Sequence, residues 1–251
     1  MRIRLLILLG CLTWAMPAWA VTRDTVTSNS KNSTGTTLTQ SHTVTASGGN
    51  RIMYVLCGLR SRTVTLTATY AGAAMDEVRK DQHGSTQISS WMFRKINPAT
   101  GANDWEVTQS GGTGMACAGF SVTNAHQTVS ETDTDGICGT TNPESLTLTD
   151  TNDDLLIDVF AMAIDGSVTE GADQTEEIDI AVASATLTTA VSRQLGTADG
   201  VMSQTANGAN NHCYTAISIA HSAATTSRPP LGPIILGWLR SLVGIQEAYA
   251  Y

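Results

Sequence analysis

The chain has 251 residues, a formal net charge of −8 and an aromatic content of only 5%. An acidic balance of that size excludes nucleic acid and other polyphosphates as expected partners. The length is ample for one large core.

The first elements in chain order concern export. Met1-Arg2-Ile3-Arg4 is a short basic start, an apolar run follows from Leu5 to Trp14, and Pro17 leads into Ala18-Trp19-Ala20. That layout predicts a secretory signal peptide over 1–20, cut after Ala20. The rival, lipoprotein processing at Cys11, has too short an apolar stretch before it. Cleavage would leave a mature chain near about −10, since two of the 14 basic residues go with the leader against 22 acidic ones. The expected location is secreted, extracellular or at a cell surface. Residues 21–36 are polar and are expected as a loosely attached lead-in.

The body, expected over 37–227, reads as strands. Thr63-Val64-Thr65-Leu66-Thr67-Ala68-Thr69-Tyr70 alternates strictly, which predicts a half-buried antiparallel strand. Ser145-Leu146-Thr147-Leu148-Thr149 repeats the pattern in short form. Ile52 to Leu59, Met115 to Val122, Leu155 to Ile164 and Tyr214 to Ala220 are continuously apolar instead, as in central strands covered on both faces. Ile88 to Ile96 and Asp104 to Ser110 flank Asn97-Pro98-Ala99-Thr100-Gly101, which reads as a hairpin turn. Other turn signals recur at Ser47-Gly48-Gly49-Asn50, Asp135-Gly136, Asn142-Pro143 and Asn207-Gly208. The fold class predicted is all-β, an antiparallel jelly-roll-like β-sandwich. Residues 228–251 end it: Arg228-Pro229-Pro230 breaks the last strand. Ile235, Trp238, Leu239, Leu242 and Ile245 then share one side of a short amphipathic helix over about 233–248. That helix is too short to span a bilayer, and peripheral membrane contact is the most it offers. It is expected to dock on the body, on a protein partner or in self-assembly.

Three segments carry a resemblance. Gly49-Asn50-Arg51-Ile52-Met53-Tyr54-Val55-Leu56, then Val64 to Met75, then Trp91 to Val107 are similar to a recurrent β-sandwich domain of secreted bacterial and phage-associated proteins. Asn152 to Val159 and Tyr214 to Ile219 would supply its later strands. The resemblance implies a jelly-roll-like sandwich at an extracellular or particle surface, and it brings no catalytic residues with it. The chain departs from that pattern at Ala71-Gly72-Ala73-Ala74, where a glycine pair is usual, and at Trp105.

Catalytic motifs are not in evidence. His42, His83, His126, His212 and His221 are scattered without metal-ligand spacing, and no nucleophile elbow or phosphate-binding glycine loop occurs. A pair of loop carboxylates for a polysaccharide-active enzyme is compatible with the many acids, but linear spacing does not locate one. Glu131, Asp133 and Asp135 alternate ahead of Gly136, a candidate Ca²⁺ turn because a hard cation needs several oxygens on one side; no other cofactor is expected. Among the aromatics Tyr54, Tyr70 and Trp91 fit core positions. Trp105, set among polar neighbours with Asn103 and Asp104, is the candidate glycan-stacking site. Cys57, Cys117, Cys138 and Cys213 remain after the leader, enough for two disulfides with three possible connectivities; buried thiols are the alternative. The pairing expected is Cys57 with Cys213 and Cys117 with Cys138. Taken together, the sequence predicts a secreted non-enzymatic module for extracellular adhesion or assembly, with a carbohydrate-binding module as alternative and a polysaccharide-active enzyme third.

Overall fold

The computed structural model describes residues 20–150, 153–196, 200–208 and 211–222. Residues 1–19 of the expected leader 1–20 and the segment expected as a C-terminal helix lie outside the described residues. Eighteen strands are described: β1 Thr22–Arg23, β2 Thr27–Lys31, β3 Thr37–Val44, β4 Ile52–Leu59, β5 Leu66–Tyr70, β6 Ala73–Ala74, β7 Asp76–Gln82, β8 Ser89–Ile96 and β9 Gly101–Gln109. They continue as β10 Met115–Thr123, β11 Glu131–Gly139, β12 Glu144–Thr147, β13 Leu155–Met162, β14 Val168–Glu170, β15 Thr175–Val182, β16 Leu187–Leu195, β17 Val201–Ala206 and β18 His212–Ile219.

All pairings between these strands are antiparallel, and the strands form four sheets. An outer sheet β3-β9-β5-β6 packs on an inner sheet β10-β4-β8-β7, to which β1 and β2 add along β10. A second inner sheet, β11-β18-β13-β16-β15, carries a second outer sheet, β12-β17-β14. The core lies in three layers between them. Val55, Phe93, Trp91 and Trp105 fill the first sandwich, and Leu156, Phe160, Met202 and Tyr214 fill the second. Between the two inner sheets lie Ile52, Tyr54, Leu56, Met92 and Phe120 against Leu155, Ile157, Val159, Val191 and Ile217.

The all-β antiparallel sandwich expected from the sequence is present, but the described residues carry two of them, back to back. Both have jelly-roll order. Numbering β2, β3, β4, β5, β7, β8, β9 and β10 as one to eight, the inner sheet runs one-eight-three-six-five and the outer two-seven-four. The run β11, β12, β13, β14, β15, β16, β17 and β18 repeats that order without exception. Finer features repeat too. The β7–β8 register slips between Glu77 and Arg79, and the β15–β16 register slips at the matching place, between Glu176 and Ile178. The connection from Ile96 to Gly101 takes the same place in the chain as that from Leu195 to Gly200. Gly101 and Gly200 both have a positive φ, a conformation that side chains other than glycine resist. β7 adjoins β11 and β15 adjoins β2, contacts that exchange under the same correspondence. The molecule is an internally duplicated jelly roll with a pseudo-dyad between β4 and β13.

Three expectations change. Residues 21–36 are not a loose lead-in: Val21 is buried, and β1 and β2 pair with β10 as the first strands of the fold. The turn Asn97–Gly101 does not close a hairpin, because β8 pairs with β4 and β7 while β9 pairs with β3 and β5. It is an arch that carries the chain from an inner to an outer sheet. The disulfides are Cys57–Cys117 and Cys138–Cys213 rather than the pairing expected. Register explains this: Cys57 stands directly opposite Cys117 on neighbouring β4 and β10, and Cys138 opposite Cys213 on β11 and β18. At a Cα separation of 4.1 Å each bridge staples adjacent strands within one sheet. Disulfides of this kind belong to a chain matured in an oxidising compartment.

Candidate functional site

The continuously apolar runs of the sequence became β4, β10, β13 and β18, the strands buried on both faces. Function is to be sought where polar groups interrupt this packing, and among the described residues two such places stand out.

The first is inside the second sandwich. Asp158 on β13 is fully buried and aims between the inner and outer sheets. Its carboxylate accepts hydrogen bonds from Tyr214 Oη (2.7 Å), Gln204 Nε2 (3.0 Å), Gln174 Nε2 (3.2 Å), the Ser192 backbone N–H (2.7 Å) and Ser192 Oγ (2.9 Å). Burial pushes its pKa from 3.8 up to about 6, against the opposing pull of the Gln204, Tyr214 and Ser192 donors. Burial also raises the Tyr214 phenol well above its usual value, with the Asp158 charge adding to it. Beside this cluster Glu144 and His212, both buried, meet at 3.2 Å, and His212 stacks on Phe160. The duplication shows how unusual this is. By register, the first sandwich places Val55 where Asp158 stands, Phe93 for Ser192, Trp105 for Gln204, Cys117 for Tyr214 and Met115 for His212. At these five positions one interior is apolar and disulfide-locked; its copy is polar and charged. Gln174, half-buried in the loop before β15, closes the mouth of that polar interior over Asp158. Chemically the arrangement can hold a carboxylate or its protonated form. Its donors are turned to the Asp158 carboxylate and to Ser192 Oγ.

The second place is the seam between the two inner sheets. At the β7–β11 edge Arg79 pairs with Asp81 and donates to the carbonyls of Thr134 and Gly136, while Asp81 accepts from Thr215 Oγ1 at 2.7 Å. Nearby Tyr54 Oη donates to Glu131 Oε1 at 2.7 Å, and Arg94 pairs with Glu131 Oε2. Burial, then Glu131, raises the Tyr54 phenol well above its usual value. At the opposite edge residues 20–24 form a strap. Val21 enters the core between the sheets, and its N–H donates to the Asp153 carbonyl at 3.2 Å. Asp24 accepts from Ser121 Oγ at 2.6 Å and from the Thr45 N–H at 3.2 Å. Arg23 Nη2 reaches across to Glu177 Oε1 at 2.7 Å, and Arg193 Nε shares that same oxygen at 2.5 Å. Beside the strap lies a cleft of about 480 Å³, lined by residues 21–25 with Leu155, Arg193 and Leu195.

The residues singled out in the sequence are not brought together. Trp105 is fully buried, because β9 alternates and Trp105 points inward with Val107 and Gln109 while Asp104 and Glu106 point out. Its Nε1–H donates to Thr27 Oγ1 at 3.1 Å. The glycan candidate thus loses its ring; Asp104 stays exposed and Asn103 half-exposed on the outer face. Glu131, Asp133 and Asp135 lie on strand β11 rather than in a turn, and their oxygens serve different partners. Glu131 takes Arg94 and Tyr54, Asp133 takes the Thr134 and Thr149 N–H groups, and Asp135 takes the Gly136 N–H. Among the described residues no group of three His, Cys, Asp or Glu side chains is placed to hold a metal ion. The Asp158 cluster and the Arg23–Glu177–Arg193 triad were missed. Asp158 did interrupt an apolar strand in Leu155-Leu156-Ile157-Asp158-Val159, the one sequence signal that pointed to it. Comparison with known proteins returned no match: no family model fits the chain, no curated protein matches it, and no solved structure does.

Proposed function

We propose that the protein is an exported, non-enzymatic module of extracellular adhesion or assembly, released from its leader after Ala20. The observation that carries the reading is the disposition of the two outer sheets. They lie on opposite sides of a fused, disulfide-stapled block, and each presents a hydroxyl-rich face. Thr37, Thr39, Ser41, Thr43 and Thr67 are exposed on one; Ser145, Thr147, Thr169 and Thr205 are exposed on the other. A rigid body with two related outward faces suits a spacer or a bivalent contact, since the faces are held at fixed separation with no ordering cost on binding. The resemblance to secreted and phage-associated sandwich domains points the same way. In this reading the apolar segment 233–248 is the handle for a protein partner or for self-assembly. The test compares the full exported chain with one lacking 229–251. An unchanged fold with lost surface retention or altered oligomeric state supports the handle. Retention and assembly identical in both would remove it.

The carbohydrate-binding alternative now rests on Asn103 and Asp104 without a stacking ring. Glycan-array screening of the mature protein separates it from the first reading, which expects no glycan-specific signal.

A further inference from the structure

We propose that the seam cleft beside the N-terminal strap is a binding site for a small aliphatic monocarboxylate. Arg23 and Arg193 converge on a single carboxylate oxygen of Glu177, so two guanidinium charges are answered by one acid. Asp24, the other acid of the lining, is turned to Thr45 and Ser121 and is occupied there. The triad by itself carries one net positive charge, while Asp24, bonded to neutral donors, keeps its own negative charge in the same lining.

The geometry adds direction to the charge. Arg193 gives only its Nε to Glu177, and its two terminal amino groups make no hydrogen bond among the described residues. A guanidinium held by its Nε edge presents those terminal groups as donors, and a carboxylate oxygen pair matches them in the plane. Arg193 itself is held in place by strand β16 and by Glu177, so little side-chain freedom is left to lose on binding. The rest of the lining is Val21 and Leu155, both buried, the exposed Thr22 and Thr25, and Leu195, which is 52% exposed. An exposed leucine beside a free donor pair suits a ligand with an anionic head and a short hydrocarbon body. A cleft of about 480 Å³ accommodates a chain of a few carbons. Inorganic anions would meet the guanidinium donors but leave Leu195 uncovered.

The chemistry has two sources, a free aliphatic acid or the carboxyl end of a peptide with small apolar residues. Isothermal titration of the full exported protein tests them in parallel arms: hexanoate, hexanamide as neutral isostere, sulfate, and an acetyl-Ala-Leu peptide with a free or an amidated end. The expected result is saturable binding of hexanoate, the free-ended peptide or both, with a dissociation constant of about 0.1–10 mM. Hexanamide and the amidated peptide should not bind, and sulfate should bind at least about tenfold more weakly. Arg193→Met should weaken binding by about tenfold or more, and Lys80→Met, on an exposed lysine outside the cleft, should leave it unchanged. Leu195→Asp places a negative charge at the lip from an exposed position and should abolish binding even if Arg193→Met folds poorly. No saturable binding by either carboxylate, equal affinity for sulfate, or binding indifferent to Arg193 and Leu195 would each overturn the assignment.

Discussion

Asp158 stands in the second sandwich where Val55 stands in the first, each flanked in register by its β8 or β16 neighbour: Phe93 beside Val55, Ser192 beside Asp158. One fold thus tolerates an apolar interior and a charged one, provided every donor around the charge is turned toward it. Asp158→Val would restore the residue of the first copy yet leave Tyr214, Gln204, Gln174 and Ser192 with unmatched donors. The expected cost is about 3 kcal/mol in urea unfolding. The pH dependence has a definite sign. Burial raises the Asp158 pKa from 3.8 to about 6, so the folded state holds the proton more tightly than the unfolded one. Its contribution to stability is therefore greatest below pH 4, falls as pH rises through about 6, and is flat above that. The stability difference between wild type and Asp158→Asn should shift in favour of the variant across that window. A difference independent of pH between 4 and 7 would show that the carboxyl titrates normally.

Gly58 and Thr189 set how closely the two inner sheets approach. A Cβ on Gly58 would lie closer than 3.0 Å to Thr189 Oγ1, a buried hydroxyl with no hydrogen-bond partner among the described residues. Gly58→Ala should therefore destabilise by about 1–3 kcal/mol through overpacking. Removing the hydroxyl as well, in the Gly58→Ala, Thr189→Ala double variant, should cost less than the sum of the single changes. A strictly additive double-mutant cycle would place the strain elsewhere.

The layer between Ile52, Tyr54, Leu56, Phe120 and their partners Leu155, Ile157, Val159, Ile217 is composed like a core, not like a loose domain contact. The connection between β10 and β11 is exposed at Thr128 and Val129. A protease site inserted there should give two fragments that still co-elute in size-exclusion chromatography and separate only in denaturant. Fragments that part under native conditions would mean that the seam adds little to either half.

Much of the architecture was legible in the residues, and what was not has physical reasons. Alternation over Thr63–Tyr70 and Ser145–Thr149 marked the half-buried strands found as β5 and β12, and unbroken apolar runs marked β4, β10, β13 and β18 as covered on both faces. The duplication was hidden because it conserves pattern rather than identity. Gln40-Ser41-His42-Thr43-Val44-Thr45 and Glu144-Ser145-Leu146-Thr147-Leu148-Thr149 occupy equivalent places and share the threonine-aliphatic alternation that any such strand shows. Trp105 was misjudged from its neighbours in sequence, whereas strand geometry sends neighbours to opposite faces. Cysteine pairing depended on which strands are adjacent, and adjacency in a jelly roll joins β4 to β10 across most of the first half. The Arg23–Glu177–Arg193 triad unites residues from opposite ends of the chain through the pseudo-dyad, a relation that no local pattern encodes.

The two disulfides differ in shelter, and that difference should appear as an order of reduction. Cys57, Cys117 and Cys213 are fully buried, whereas Cys138 is half-exposed on β11, an edge strand of its sheet. A thiolate reductant attacks a sulfur it can reach, so access governs the rate. Mild reduction followed by alkylation and peptide mapping should label Cys138 and Cys213 before Cys57 and Cys117. The second pair should open only as the first sandwich unfolds. Loss of the Cys138–Cys213 bridge frees a loop with a sequence separation of 75 and should cost about 2–4 kcal/mol in a Cys138→Ser, Cys213→Ser variant. That variant should still fold, because the β11–β18 ladder and the Arg79 contacts to Thr134 and Gly136 persist. Simultaneous labelling of all four cysteines under native conditions would show that the first sandwich opens as readily as the edge of the second.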